Sequence, residues 1–499
     1  MEKTIFFIKA LLFFLCLSFS ACLELEDINQ NPNSLTEVPD AYLFTHAAKS
    51  SCSESRQLLS RAQIFFTGSW SHLYSTPYAQ DRYDVNADTE DEAMLWSDLY
   101  STELKNACNL VKITGTEGTN PNSVRNAMAQ IVTYITFTKL TDLFGAIPYT
   151  EGGKGFSDDI VSPVYDTQEF IYHDMITKLG DCITVFETGS EAEGYGAADP
   201  FYGGKLDKWI KFANSFRLRL AMRMRYADPT GAAQTITVCL GKPLMESNDD
   251  NALIKNFDAT TTYLYSGWYE TFQNEGKSCR PGKMLIDKLK LTNDPRLPVF
   301  AIANSSGGYE GMPNGITSAA RALIADADIS QWQPVMYAKT IPSYWLCYSE
   351  VCFLKAEAAL YSLGGSSPET HYRNGIRAAM AQWGVSETQI SNFLATEAEA
   401  SLTGNTEDNF RKICTQLWLS CITNNYEAYN VVRRTGYPVI PVRTGNEDPE
   451  LALGITNGQL PRRITYPSTE VTMNKTNYET AVAAQGADSR TTRIWWDAK

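Results

Sequence analysis

The chain has 499 residues, of which 43% are hydrophobic and 12% aromatic, and its formal net charge is −14 at pH 7. This composition permits a large folded core, whereas so acidic a chain argues against nucleic acid and against an anionic membrane surface as direct partners. Neutral or cationic ligands are favoured instead.

The N-terminal segment predicts a bacterial secretory signal that ends at a lipidation site. Lys3 and Lys9 flank an apolar run over 5–17, and small residues stand directly before Cys22. The run is shorter than the ~20 apolar residues that a membrane-spanning helix needs. Residues 1–21 are therefore interpreted as a signal peptide, and Cys22 as the acylated, palmitate-bearing N-terminus of the mature protein.

Carboxylates follow the predicted anchor directly, in the stretch 23–27 (LELED). This stretch resembles the acidic export tag of Bacteroidetes lipoproteins that reach the outer face of the outer membrane. We therefore expect a lipid-anchored, cell-surface protein that touches the membrane only through its acyl chains. A lipoprotein that faces the periplasm is the alternative.

The cysteines do not indicate a disulfide framework. Of 11 cysteines, Cys16 lies in the signal and Cys22 carries the lipid, which leaves nine, an odd number without a Cys-x-x-Cys pair. We interpret them as small, buried apolar residues.

Most of the remaining chain predicts amphipathic helices separated by Gly, Pro and Asn clusters. Apolar residues recur at three- and four-residue steps over 124–135 and over 209–220, which indicates helices with one buried stripe. Long runs of alternating β-branched residues are missing, so the predicted fold is mainly α, a solenoid-like stack of helix pairs without a clean ~34-residue repeat. Further helices are predicted at 166–187, 349–363, 370–382 and 409–433, and loop-rich insertions at 187–208, 246–282, 302–347 and 436–475.

Seven phrases of the sequence together carry a family resemblance. They are Leu140–Tyr149 (LTDLFGAIPY), Pro163–Gln168 (PVYDTQ), Lys208–Ser215 (KWIKFANS), Asn293–Leu297 (NDPRL), Ser349–Ala358 (SEVCFLKAEA), Arg433–Pro438 (RRTGYP) and Arg463–Glu470 (RITYPSTE). In this order, behind a predicted lipidated cysteine, they resemble the SusD/RagB family of outer-membrane lipoproteins, in particular its SusD-like nutrient-binding branch.

The resemblance implies a fold and a role for residues 22–499, with 23–38 as a tether. The implied fold is a tetratricopeptide-like scaffold of helix pairs with loop-rich insertions that carry the ligand site. The implied role is capture of oligosaccharides, or of peptides in some members, at the cell surface. Such a protein acts as a lid over a SusC-like TonB-dependent barrel and performs no chemistry, so no cofactor is expected.

Two of the phrases also have a direct physical interpretation. Asp166 precedes an apolar-periodic run and is expected to cap its helix. Glu350 and Glu357 are seven residues apart on one predicted helix, where ion pairs with Arg433 or Arg434 would join two helices. We therefore expect the recognisable phrases to belong to the scaffold and not to the ligand site.

Carbohydrate receptors combine aromatic faces with amides, carboxylates and guanidinium groups. Two loop regions and one aromatic of a third offer this mixture, although aromatic residues are also common between helices, and Trp70 and Tyr74 form an i, i+4 pair. The candidate ligand-binding residues are Trp70, Tyr74, Tyr78 and Arg82 in the first region, Tyr265, Trp268 and Tyr269 in the second, and Trp345 in the third.

Two other functions compete with nutrient binding. A surface glycoside hydrolase needs two carboxylates about 5–9 Å apart, which 57 acidic residues neither prove nor exclude, but Gly-x-Ser-x-Gly and His-Glu-x-x-His are absent. A purely adhesive protein is the second rival. The alternating acidic stretch 86–92 lacks the glycine of an EF-hand loop. Neither catalysis nor a metal site is therefore predicted.

Overall fold

The computed structural model describes residues 38–84, 90–261, 263–276, 278–444 and 450–499. The predicted signal peptide, Cys22 and residues 23–37 of the tether lie outside these ranges. Within them, every helix is too short or too polar to cross a bilayer.

Helices dominate the described chain, as the sequence predicts. In chain order the longer ones are α1 (Asp40–Cys52), α2 (56–70), α3 (90–114), α4 (Ser123–Phe144), α5 (Gln168–Thr188), α6 (Leu206–Met224), α7 (Pro229–Leu240), α8 (Gly267–Glu275), α9 (Lys283–Leu291), α10 (Tyr348–Leu360), α11 (Pro368–Gln382), α12 (Glu387–Thr396), α13 (Thr406–Ser420), α14 (Asn425–Thr435) and α15 (Lys475–Gln485). Shorter helical turns are Gly155–Asp158, Leu297–Phe300, Ser318–Ala322 and Ser468–Met473.

Consecutive helices pack on each other as α3 with α4, α5 with α6, α6 with α7, α10 with α11, and α13 with α14. This arrangement confirms the predicted mainly helical scaffold of helix pairs. One detail of the prediction is wrong, because α4 is buried on nearly all its faces from Ala127 to Phe144 and not along a single stripe. The reason is tertiary: α1, α3 and α5 all pack against it.

The segment 409–433, predicted as one helix, is two. α13 ends at Ser420 and α14 begins at Asn425, and in the turn between them the Asn424 side chain donates to the Trp345 carbonyl (2.8 Å). The predicted cap of α5 also differs. Thr167 is its N-cap, whereas the Asp166 carboxylate accepts a hydrogen bond from the Thr150 amide (2.7 Å).

Short antiparallel strands fasten the loop-rich insertions. They are β1 (Tyr74–Ser75), β2 (Ala252–Ile254), β3 (Arg280–Pro281), β4 (Ala301–Ile302), β5 (Gln331–Trp332) and β6 (Ser343–Leu346), paired as β1 with β3, β2 with β6 and β4 with β5. Two of these pairings join different predicted loop regions. β1 lies in the region of Trp70 to Arg82 and β6 lies in the insertion 302–347, whereas their partners β3 and β2 both lie in the insertion 246–282.

Buried ion pairs hold the helix pairs to one another. Arg434 of α14 reaches Glu357 of α10 (2.5 Å), as predicted, and Arg225 contacts the same carboxylate (2.8 Å). Glu350 does not pair with Arg433 or Arg434, and its partner is Arg219 of α6 (2.6 Å). Burial opposes ionisation of Glu357, yet the two arginines hold its pKa below the usual value.

A second group of charges continues this network. Arg223 of α6 bridges Asp142 of α4 and Glu427 of α14. Arg433 donates to the Asp142 carbonyl (2.7 Å), and the indole N–H of Trp496 donates to the Asp142 carboxylate (2.9 Å). The network therefore joins α4, α6, α10 and α14. Several of its residues belong to the seven phrases that carry the family resemblance.

The nine cysteines after Cys22 all lie in the described ranges as free thiols. Eight of them are buried and Cys108 is half-buried. This confirms their interpretation as small apolar residues.

Candidate functional site

Helix α8 lies between two clefts in the loop-rich part of the molecule. Its N-terminal half borders one cleft and its C-terminal half borders the other. The Ser266 hydroxyl caps the helix by accepting from the Trp268 amide (3.2 Å). Gly267 is required where α8 meets the scaffold, since a Cβ there would lie 2.4 Å from the Glu54 carbonyl oxygen. The chain thus fixes α8 against the turn between α1 and α2.

We call the first cleft the tyrosine cleft. It has a volume of about 520 Å³, within the range of ligand pockets, and lies among α1, α2, α3 and the start of α8. Rings, amides and charges line it together: His46, Lys49, Arg56, Gln57, Asp98, Thr102, Tyr263, Tyr265 and Glu270.

Two tyrosines give the tyrosine cleft its aromatic surface. Tyr263, 44% exposed, stacks on His46 with ring centroids 6.2 Å apart, and the Lys49 ammonium lies 4.7 Å from its ring centre. Tyr265 meets Tyr269 edge to face at 5.4 Å. Burial lowers the pKa of His46, so its imidazole is neutral at pH 7.

A buried ion cluster forms the floor of the tyrosine cleft. Lys139 of α4 lies between Glu54 (2.5 Å) and Glu103 (3.4 Å). The Tyr426 hydroxyl donates to Glu54 (3.0 Å) and the Thr136 hydroxyl to Glu103 (2.9 Å). Burial raises the pKa of Glu103 to about 7, against the lowering effect of Lys139. Glu103 is therefore about half protonated near pH 7.

Both helices that border this floor contain a π-helical segment, Leu59–Phe66 in α2 and Leu99–Leu104 in α3. A π-helical segment adds a residue to a turn, and such segments are frequent at functional sites. Here the first directly follows Leu58 of the cleft wall, and the second contains Glu103 of the floor. The geometry of the cleft thus depends on two irregular helices.

We call the second cleft, of about 500 Å³, the amide cleft. Phe272 and Tyr337 stack in it nearly parallel, with ring centroids 4.9 Å apart. Tyr78 packs on Phe65 (4.4 Å) and its hydroxyl donates to Glu275 of α8. The remaining lining is rich in amides and hydroxyls: Gln273, Asn274, Gly276, Ser278, Gln331 and Trp332.

Four of the predicted ligand-binding aromatics are core residues. Trp70 (0% exposed) donates to the Gln80 carbonyl, Tyr74 (1%) donates to the Ile422 carbonyl, and Trp268 (1%) stacks on Tyr74. Trp345 (4%) lies against the Arg219 guanidinium at 5.0 Å. None of these four rings offers a face to a ligand, which corrects the prediction. The apolar surfaces of these rings pack in the core between helices.

The other four predicted residues are half-buried. Tyr265 lines the tyrosine cleft and Tyr269 packs against it, while Tyr78 lies beside the amide cleft. Arg82 donates to the Pro77 carbonyl (2.6 Å) and pairs with Asp84 (3.2 Å), so it holds its own loop. The structure therefore brings Tyr265 and Tyr269 together and places Tyr78 near the other end of α8.

Several cleft residues carry no signal in the sequence. Lys49, Arg56 and Gln57 lie in or beside helices, and Gln331 and Tyr337 lie about 70 residues beyond Tyr265 in the chain. Only the pairing of distant segments places them on one surface. Gln273 and Asn274 of the amide cleft lie only a few residues after Tyr269 of the second candidate region.

The described residues contain no group of three or more His, Cys, Asp or Glu side chains arranged for a metal ion. His72 is buried, and burial together with Arg443 lowers its pKa to about 3. His46, in contrast, lines the tyrosine cleft.

Residues 32–467 match the family model SusD-like_2, described as "Starch-binding associating with outer membrane". This chain belongs to the SusD-like family. The match covers most of the chain. It includes the seven phrases named above, apart from the last three residues of RITYPSTE.

Solved structures share the fold of this chain. A chitin-binding protein is 28% identical, with a TM-score of 0.81 over 92% of this chain and 100% of that one. A chitin-binding SusD homologue from Flavobacterium johnsoniae is 23% identical (TM-score 0.78, 92% and 98%). A SusD homologue from Bacteroides uniformis is 25% identical (TM-score 0.77, 93% and 100%). A search of curated proteins found no match to this chain.

Proposed function

We propose that this SusD-like chain captures oligosaccharides at the cell surface and delivers them to a SusC-like TonB-dependent barrel, over which it acts as a lid. An acylated Cys22 would hold it to the outer membrane, and the protein itself performs no chemistry. The observation that carries the proposal is the tyrosine cleft, where half-buried rings, an amide, a guanidinium and carboxylates surround about 520 Å³.

The lining of the cleft suits a sugar. Pyranose rings offer C–H faces that pack on aromatic rings, and hydroxyls that both donate and accept. Tyr263 and Tyr265 supply the rings, Gln57 and Arg56 supply donors, and Glu270 supplies an acceptor. The acidic surface of the chain favours a neutral or cationic glycan over an acidic one in this cleft.

The comparisons support the same ligand class. The family description names starch, and two of the similar structures are named for chitin binding. Both starch and chitin are uncharged polymers of pyranose units, so a neutral oligosaccharide is the ligand class that we propose for this chain.

Isothermal titration calorimetry of the purified protein with maltohexaose and chitohexaose tests the proposal. We expect one of the two to bind, and Tyr265→Ala to weaken that binding because it removes a ring from the cleft. Tyr42→Ala is the matched control, since Tyr42 is 66% exposed on α1 and does not line the cleft. Equal affinities of the two variants would remove the tyrosine cleft from the site.

Other outcomes separate the alternatives. Binding of a peptide library in place of both glycans would favour peptide cargo. Release of reducing ends from either glycan would overturn the non-catalytic role.

The anchor and the partner need separate measurements. Mass spectrometry of the mature N-terminus tests acylation of Cys22, and protease added to intact cells tests surface exposure. Affinity purification from detergent-solubilised outer membrane tests the barrel. Absence of a TonB-dependent barrel from that preparation would contradict the lid role.

A further inference from the structure

A third cavity, which shares no lining residue with either cleft, has an unusual charge. It has a volume of about 280 Å³ and lies where α9, α11 and α13 meet the helical turn Ala398–Ala400. Lys288, Arg411 and Lys412 line it, and Glu399 is its one lining carboxylate. Three cations against one anion make a positive cavity in a chain of net charge −14.

Glu399 is already engaged by one of these cations. Arg411 holds both of its oxygens, each at 2.9 Å. Lys412 is only 7% exposed, and its ammonium donates to the carbonyls of Ala398 (2.9 Å) and Ser401 (2.8 Å), with Glu399 at 4.0 Å. This buried ammonium therefore shares its one nearby carboxylate with Arg411, which leaves the pair of cations with less counter-charge than buried cations ordinarily have.

Two more donors border the same cavity. Lys288 of α9 is half-buried, and within the described part of the chain its ammonium has no hydrogen bond or ion pair, although its charge helps to lower the pKa of Glu399. Gln416 of α13 accepts from Arg296 through its oxygen (2.7 Å), which leaves its amide nitrogen as a donor. Asp408 also acts on Arg411 from the first turn of α13, but it does not line the cavity.

We propose that this cavity is a second ligand site, which binds the carboxylate of a single acidic sugar unit such as a uronic acid. Ammonium, guanidinium and amide donors together match a carboxylate, and charge-assisted hydrogen bonds are the strong ones. Leu291 of the lining is 74% exposed and supplies an apolar border for the sugar ring, and the small volume excludes a polymer from the interior. The site does not depend on glycan binding beside α8.

Calorimetric titration with D-glucuronate at low ionic strength tests the proposal, with D-glucose, acetate and sulfate as comparison ligands. We expect glucuronate to bind, D-glucose not to bind at this cavity, and added salt to weaken the binding. Lys288→Gln removes a partly exposed cation and should weaken glucuronate binding about two- to fivefold. Lys290→Gln is the matched control, because it makes the same charge change two residues along α9, outside the cavity.

Glu399→Gln provides a test of opposite sign. It removes the carboxylate that repels an anion and should tighten glucuronate binding, which a merely damaged fold would not do. Three results would overturn the proposal: wild-type protein that does not bind glucuronate, equal affinities of Lys288→Gln and Lys290→Gln, or acetate and sulfate binding as tightly as glucuronate, which would reduce the cavity to an unspecific anion site.

Discussion

The ion network that joins α4, α6, α10 and α14 and the surface around α8 use the same residue types in opposite ways. In the network, arginines and carboxylates are almost completely buried and satisfy each other, as in Arg434 with Glu357. Around α8, tyrosines, amides and carboxylates are half exposed and border open volume. The residues that make the family recognisable therefore build the scaffold, and the proposed ligand surface consists of residues outside the seven phrases.

The aromatic residues show the same division. Trp70 and Trp268 fill space between helices, whereas Tyr263 and Tyr265 keep part of their rings at the surface. A tryptophan ring is largely apolar, so the core is its favourable place when a partner for its N–H is available. A tyrosine can keep its hydroxyl in water while its ring packs, which suits the wall of a cleft.

Breaking the network should have the largest effect. Glu357→Ala leaves Arg434 and Arg225 buried without a carboxylate and should lower the free energy of unfolding by about 3–5 kcal/mol, measured by urea denaturation. The control is Glu246→Ala, whose side chain is 73% exposed beside Lys211 and should cost about 0–1 kcal/mol. Similar losses of unfolding free energy in the two variants would show that a buried carboxylate of this network stabilises the fold no more than an exposed one.

Trp70→Ala should behave like a core mutation. Deleting a fully buried indole should cost about 3–5 kcal/mol of stability, while the glycan affinity of the protein that remains folded should stay unchanged. Thermal unfolding and calorimetry on the same samples measure the two quantities. A variant with normal stability but lost affinity would return Trp70 to the ligand site.

The floor of the tyrosine cleft predicts a pH dependence. Burial raises the pKa of Glu103 from 4.5 to about 7, so the folded state holds its proton more tightly than the unfolded state. The contribution of Glu103 is complete below pH 4.5 and is lost as the pH rises through about 7. Glu103→Gln should therefore gain stability relative to wild type, on the order of 1–3 kcal/mol, between pH 5 and pH 8.

The difference between the two proteins is the quantity to measure, by urea denaturation at each pH. Burial also raises the pKa of Glu92, to about 8, although Arg490 opposes this. Because Glu92 is present in both proteins, its contribution cancels. A difference that does not change with pH would show that Glu103 is ionised throughout this range.

The smallest effect is expected at the exposed edge of the amide cleft. Helix α8 is about 14 Å long, so only an oligosaccharide of several units could reach both clefts. Gln331→Ala should weaken binding of such a chain by about 0.5–1.5 kcal/mol, the contribution of one hydrogen bond, and leave a disaccharide unaffected. Equal losses for short and long ligands would place the whole site in the amide cleft, and no loss would remove that cleft from the site.

Hydrophobic periodicity predicted the bounds of a helix well where one apolar face of that helix is buried along its length. The run 166–187 lies almost entirely within α5, and 370–382 lies within α11. The same periodicity missed the break at 421–424, although Thr423, Asn424 and Asn425 are polar, because apolar residues resume beyond them and the turn is fixed by a contact of Asn424 with Trp345, far away in the chain. It also missed the π-helical segments, which depend on packing more than on propensity.

Composition determined that this chain is acidic and has a large core, hydrophobic periodicity determined that it is mainly helical, and its phrases determined the family. The positions of α8, the two clefts and the positive cavity were decided only by the tertiary structure, as was the burial of four of the eight predicted ligand residues. The physical reason is that periodicity reports which face of a helix is apolar, whereas exposure of a ring depends on which other segments cover it. That information lies in contacts between residues hundreds of positions apart, such as the Tyr74 hydroxyl with the Ile422 carbonyl.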